Sequence, residues 1–164
     1  MKTLIVYATR YGTTRECATL LSEKLQGETV MHDLVKHSQV NLQDFDTIVV
    51  GGAIYAGTLH KKVRKFCKVH ENELLTKQLA LFTCNMEEGE GEMRQLEKNY
   101  PPALVAHAIV KSCFGGQFLF AKMGWFTKKI ITKINKSDTD VKKLHYEVID
   151  QFAQTLNSKA NASV

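Results

Sequence analysis

The residues best suited to chemistry form one short loop, Thr9-Arg10-Tyr11-Gly12-Thr13-Thr14. It follows the apolar run TLIVYA (residues 3–8) and opens into a stretch of helix formers. Where a strand turns into a helix, the first helical amides lack partners and the dipole end is positive. A phosphate placed there accepts amide hydrogen bonds, and threonine hydroxyls donate further ones. Gly12 lets the backbone turn tightly and meet an anion with no side chain between them. Capping the helix would account for one threonine; three threonines around a glycine point to a phosphate loop. Arg10 either adds a charge-assisted contact to a dianion or stands solvated at the surface. G-x-G-x-x-G is excluded because the loop has one glycine, and G-x-x-x-x-G-K-[ST] is absent. A phosphoacceptor receiver domain needs acids after its first and third strands, where this chain has Thr9 and Gly51-Gly52.

Short apolar runs alternate with longer mixed segments along the chain. Residues 3–8, 29–35, 46–52, 78–84 and 104–112 read as strands; 13–26, 59–70, 90–98 and 139–156 read as helices. Strands alternating with helices imply right-handed crossovers and a doubly wound α/β domain, with five parallel strands and helices on both faces. Such sheets bind ligands at the carboxyl ends of their strands. That nominates the loops after Ala8, Gly52, Cys84 and Ser112.

At 164 residues, 44% hydrophobic and 24% charged, the chain suits one soluble domain over 1–157, with SKANASV (158–164) as a disordered tail. No apolar run reaches the roughly 18 residues that cross a bilayer, and the start lacks a signal peptide's organisation, so a cytoplasmic protein is expected. Cys17, Cys67, Cys84 and Cys113 form no C-x-x-C pair and have no metal-ligand spacing, which reads as reduced thiols and no metal. The net charge of +5 is uneven. Residues 111–136 hold six lysines and no acid, whereas MEEGEGEM (86–93) holds four glutamates and no base. No nucleic-acid partner is expected.

The loop T-x-x-G-x-T and the stretch GGAIYAGTLHKKVRKF resemble the flavodoxin family, which binds FMN. MKTLIVYATRYGTTRE, IYAG, FLFAKMGWFTKKIITKI and SDTD resemble its branch of menaquinone-dependent protoporphyrinogen oxidases of haem synthesis. The resemblance implies strand order 2-1-3-4-5, with Thr9, Arg10, Tyr11, Gly12, Thr13 and Thr14 holding the FMN phosphate. It implies that Ala53, Ile54, Tyr55, Ala56 and Gly57 line the flavin ring, Tyr55 as a stacking candidate and Gly57 as a site where a peptide can flip with redox state. Thr83, Cys84, Asn85 and Met86, with Phe114, Gly115, Gly116 and Gln117, would close the other side; the tyrosine that many flavodoxins place after the fourth strand is absent. Cys84 and Cys113 read as small buried hydrophobes. If the glutamates of 86–93 face the flavin, their field disfavours an anionic reduced ring.

The span Phe118 to Ile134 reads as an amphipathic helix, with an apolar stripe through Leu119, Met123, Phe126, Ile130 and Ile134 and with Lys122, Lys129 and Lys133 opposite. It suits either contact with anionic lipid headgroups at the membrane's inner face or packing on the core. No proton-abstracting residue stands out among His60, His70 and His107, and a flavin enzyme does not require one. The function implied is FMN-dependent oxidation of protoporphyrinogen with a quinone or a redox protein as partner. The alternatives are a soluble electron carrier and a flavin-free interaction domain.

Overall fold

The computed structural model describes residues 1–118, 129 and 141–161. The run Lys2–Ala8 forms β1, with six consecutive residues buried rather than alternating. That pattern belongs to a strand covered on both faces. From its end the chain enters α1 (Thr13–Ser22), returns as the half-exposed edge strand β2 (Glu28–Asp33), and then forms β3 (Thr47–Tyr55), buried from Thr47 to Ala53. A two-residue strand, β4 (Thr58–Leu59), folds back on β3 as a hairpin. Then come α2 (Lys61–Val69), α3 (Glu71–Leu74), β5 (Gln78–Cys84), α4 (Glu90–Asn99), α5 (Pro102–His107) and β6 (Val110–Cys113). Two short strands, β7 (Gly115–Phe118) and β8 (Val141–Leu144), pair antiparallel beside them, and α6 (Tyr146–Asn161) follows.

The main sheet runs β2-β1-β3-β5-β6, all parallel, which is the expected 2-1-3-4-5 order once the hairpin strand is set aside. One apolar layer sets Leu4, Val6, Ile48 and Val50 against Val63, Phe66, Leu96 and Leu104 from the α2, α4 and α5 side. The other sets Ile5, Val49 and Phe82 against Cys17 and Leu21 of α1 and Ile149 and Phe152 of α6. Register lines the strand ends in a row, because Ala8 pairs with Gly52, Ala53 with Cys84, and Thr83 with Cys113. All the nominated loops therefore leave one edge of the sheet.

Some expected boundaries move. The run 104–112 divides: Pro101 precedes α5 and Pro102 occupies its first position, where a missing N–H costs nothing, so residues 102–107 are helical and only Val110–Cys113 pairs with β5. The segment 141–144 is a strand, not the start of the last helix, because Gly115–Phe118 offers it an antiparallel partner remote in sequence. Phe118 thus belongs to a strand, which corrects the helix expected to begin there. Apart from Phe118 and Lys129, that amphipathic span lies outside the described residues. The last helix continues through Asn161, so 158–161 extend it where the sequence reads as a tail.

Asp33 fixes the end of β2. Buried at 7% exposure, it accepts from Arg15 Nη2 of α1 at 2.7 Å and from the Val35 amide at 2.9 Å. Gly51 lies under Phe82, whose ring would stand 1.9 Å from an added Cβ. The glycine pair that excluded a receiver domain is thus a packing requirement of the sheet.

Candidate functional site

The first loop is organised from within. Gly12 sits at φ 102° and ψ −12°, a conformation that favours glycine, and it is the N-cap residue of α1 with no side chain capping the helix. Thr9 Oγ1 accepts the Gly12 N–H at 2.8 Å, so its oxygen folds the loop while its hydroxyl proton is left to donate outward. Thr13 and Thr14 are buried, and Thr14 Oγ1 has no hydrogen-bond partner. A buried hydroxyl without a partner costs about 1–3 kcal/mol. An anion at the uncapped helix start removes that cost and satisfies the first amides together, so these residues fit a phosphate. Arg10 stacks its guanidinium over the Tyr11 ring at 5.3 Å, which places its charge at the loop.

The hairpin after β3 forms the second wall. Tyr55 pairs with Thr58, leaving a two-residue turn in which Ala56 (φ 47°) and Gly57 (φ 73°) are both left-handed. That is the turn whose twist matches a hairpin. Ala56 is the one non-glycine residue with positive φ among the described residues. Asn99, at the end of α4, holds the turn at two points: its Oδ1 accepts the Leu59 amide at 2.8 Å, and its Nδ2 donates to the Gly57 carbonyl at 3.2 Å. Tyr55 meets Tyr11 edge to face at 5.8 Å, joining the hairpin to the phosphate loop. Burial, then the neighbouring Tyr11, pushes the Tyr55 phenol up to about 12, so it stays neutral.

The third wall combines the ends of β5 and β6. The Phe114 amide donates to the Thr83 carbonyl at 2.9 Å and the Asn85 amide to the Gly115 carbonyl at 3.0 Å. A Cβ on Gly116 would lie 2.7 Å from the Asn85 carbonyl oxygen and 2.9 Å from Met86 Sδ, so these loops close directly on each other. Thr83 Oγ1 and Asn85 Nδ2 are buried without partners. Phe114 differs from the expectation: its ring is fully buried, stacked on Phe82 at 4.5 Å, leaving only its backbone at the loop. Gln117 Nε2 donates to Glu16 Oε2 at 3.0 Å, and Lys142 pairs with the same carboxylate at 2.6 Å. The Cys84 thiol is pushed well up, first by its hydrogen bond with Cys17 and then by burial, and burial also raises Cys113. Both stay protonated packing groups. Of the acidic loop, Glu88 pairs with Lys143 at 2.5 Å and Glu92 lies 3.8 Å from His145 Nδ1.

Sequence reasoning overlooked Asn99 and Glu16, and it weighed His60 only as a proton-abstracting group. His60 precedes α2, and its Nδ1 accepts the Lys62 amide at 3.3 Å, an N-cap role that a histidine between Leu59 and two lysines does not advertise. Burial lowers its pKa below the ordinary 6.5, with Lys61, Arg10 and Lys62 adding to the effect and Asp33 opposing it. Protonation therefore favours the unfolded chain in the interval just below 6.5. Stability attributable to His60 is complete above that value and is lost as pH falls through it towards the folded-state pKa. Chemical denaturation at pH 7.5 and 5.5 should show a larger loss for wild type than for His60→Asn, which caps without titrating.

A cleft of about 630 Å³ opens on the α2 side of these walls, lined by Thr9, Arg10, Val35, Tyr55, Thr58 and the start of α2. Among the described residues no group of acids, histidines and cysteines is placed to hold a metal.

A flavodoxin domain family model matches residues 4–144. The protoporphyrinogen IX dehydrogenase (quinone) of Escherichia coli strain K12 is 25% identical over 171 residues, covering 95% of this chain and 94% of that protein. A short-chain flavodoxin associated with a non-canonical PDU bacterial microcompartment superposes with a TM-score of 0.63 at 16% identity, covering 98% and 99% of the two chains. A Fusobacterium nucleatum flavodoxin bound to flavin mononucleotide superposes with a TM-score of 0.50 at 18% identity, covering 68% of each chain. The match over most of the length, on a sheet of this order with a phosphate-ready first loop, settles the assignment: the chain belongs to the flavodoxin family, with FMN as its cofactor.

Proposed function

We propose that this protein is an FMN-dependent oxidoreductase that oxidises protoporphyrinogen IX and passes the electrons to a quinone. The observation that carries this reading is the end-to-end match to a quinone-linked protoporphyrinogen IX dehydrogenase, 95% of one chain on 94% of the other. Bound FMN supplies the two-electron chemistry between an organic reductant and a quinone. The protein's own groups position and tune it. Thr9, Thr14 and the amides after Gly12 bind the phosphate, with Arg10 adding charge. Tyr55, neutral and braced by Tyr11, lines the ring. Thr83 Oγ1 and Asn85 Nδ2 are buried unmatched polar atoms within the third wall.

The Gly57 carbonyl is held by Asn99 (3.2 Å), so a redox-linked flip of that peptide would exchange one partner for another. In Gly57→Ala the new Cβ meets only Gln95 Oε1, at 3.9 Å, and the substitution acts through the left-handed φ. Its strain of about 1 kcal/mol, if borne by one redox state, moves the two-electron midpoint by about 20 mV. An unchanged potential measured by dye-linked reduction argues against the flip.

The deciding assay is anaerobic. FMN-loaded protein with protoporphyrinogen and a menaquinone analogue should generate porphyrin fluorescence that requires both the protein and the quinone. A yellow protein that forms no porphyrin is instead a carrier that hands electrons to a redox protein. No described helix is long and apolar enough to cross a membrane. Contact of residues 118–134 with the bilayer surface remains part of this proposal. Co-sedimentation with anionic liposomes, abolished by Lys122→Glu, Lys129→Glu and Lys133→Glu, is the result it requires.

A further inference from the structure

The cleft beside α2 is chemically unlike the phosphate loop. Arg10, Lys61, Lys62 and Arg64 line it, together with the apolar surfaces of Val35 and Tyr55. Thr9 and Arg10 of the first loop line it and Gly12, Thr13 and Thr14 do not, so the cleft adjoins the phosphate position and extends from it towards α2. Its volume, about 630 Å³, is that of an ordinary small-molecule pocket.

Folding alone does not favour this arrangement. Lys61 and Lys62 open α2 with no acid in its first turn, and each cation at that positive dipole end costs about 0.3–1 kcal/mol. None of Lys61, Lys62 and Arg64 is in a salt bridge with any acid among the described residues. Val35 is 49% exposed, one of four large hydrophobic residues left so among the described residues. An unpaired cationic rim beside exposed apolar surface matches a ligand with an apolar body and negative ends.

We propose that this cleft is a second ligand site, adjoining the flavin, for an amphiphilic small molecule bearing two carboxylates. The apolar body lies on Val35 and Tyr55; the carboxylates meet Arg10 and the α2 cations Lys61, Lys62 and Arg64. Concavity and apolar walls favour such a molecule over the flat acidic face of a protein. Thr9, Arg10 and Tyr55 belong to both sites, which sets the two ligands side by side. The identity of the occupant as a tetrapyrrole dicarboxylate rests on the function proposed above; the site itself does not.

The probe is protoporphyrin IX, with its dimethyl ester as the control that keeps the apolar body and loses the charges. Titrated into FMN-loaded protein and followed by porphyrin fluorescence, the free acid should saturate. The triple variant Lys61→Glu, Lys62→Glu, Arg64→Glu should weaken it by about tenfold or more. The ester should bind wild type comparably weakly. Acids at the start of α2 suit its dipole, so the variant should fold; an unchanged thermal melt and unchanged FMN affinity verify this. The proposal is overturned by a variant that binds the free acid as wild type does, by an ester that binds as well as the acid, or by no saturable binding to wild type, which leaves the basic face to an acidic protein. Loss of FMN from the folded variant also overturns it, because the cleft would then be the flavin's own. Porphyrin binding without turnover of protoporphyrinogen removes the proposed enzyme activity and leaves the site. Turnover with normal kinetics in the variant does the reverse.

Discussion

Thr14→Val is expected to weaken FMN binding by about 10- to 150-fold while leaving the apoprotein at least as stable as wild type. The two effects have one cause. Thr14 Oγ1 is buried with no partner, so the folded apoprotein carries a desolvated hydroxyl. Replacing it with a methyl of similar volume removes that cost. In the proposed complex the same hydroxyl donates to the phosphate, and a hydrogen bond to a charged group contributes about 1.5–3 kcal/mol, which is the stated range in affinity. Quenching of FMN fluorescence on titration gives the affinity, and urea unfolding of the flavin-free protein gives the stability. A structural role for Thr14 would produce the opposite pattern, with stability falling and affinity unmoved. Thr9→Val differs in kind, because Thr9 Oγ1 also accepts the Gly12 amide and its loss disorders the loop as well.

Gly115→Ala should destabilise the folded protein by about 3 kcal/mol or more, the largest effect expected from adding a single methyl at the site. The residue sits at φ +78°, and its new Cβ would stand 1.9 Å from the Lys143 carbonyl oxygen. That atom is backbone, held in the β7–β8 pairing of Gly115 with Leu144, and cannot rotate aside. Overpacking costs about 1–3 kcal/mol, and the left-handed conformation adds about 1–2 kcal/mol. Moving the strands apart also disturbs the Gly115 carbonyl that receives the Asn85 amide, so FMN affinity should fall with stability. Gly89→Ala is the control without a clash, though at ψ −136° it lies outside the left-handed helical region and its conformational cost is its own. Gly89 has φ +64° and nothing within 4 Å of its Cβ, so it should lose only the conformational part. Equal urea midpoints for the two variants would mean that the β7–β8 contact does not constrain the site.

Local sequence carried the β1 strand and the turn at Gly12 into α1, because both are written in contiguous residues. A buried parallel strand reads as an unbroken apolar run, and a glycine between threonines at a helix start reads as an anion site wherever it occurs. Local sequence misled where one pattern served two structures. The run from Leu104 to Ser112 is mostly apolar, yet Leu104 faces the core from a helix while Val110 pairs with Ala80 in the sheet. Likewise, nothing near Val141 signals a strand, since its partner is Phe118.

Taken alone, the residues determined the α/β class, the parallel crossovers, the first-loop chemistry and the family resemblance, since each depends on spacing along the chain. Tertiary structure decided the rest: Asn99 bracing the hairpin, Phe114 withdrawn into the core, His60 capping α2, and four cations gathered round an apolar cleft. Each of these joins residues that come together only when the strands align, and a contact between distant residues leaves no periodicity for a local reading to detect.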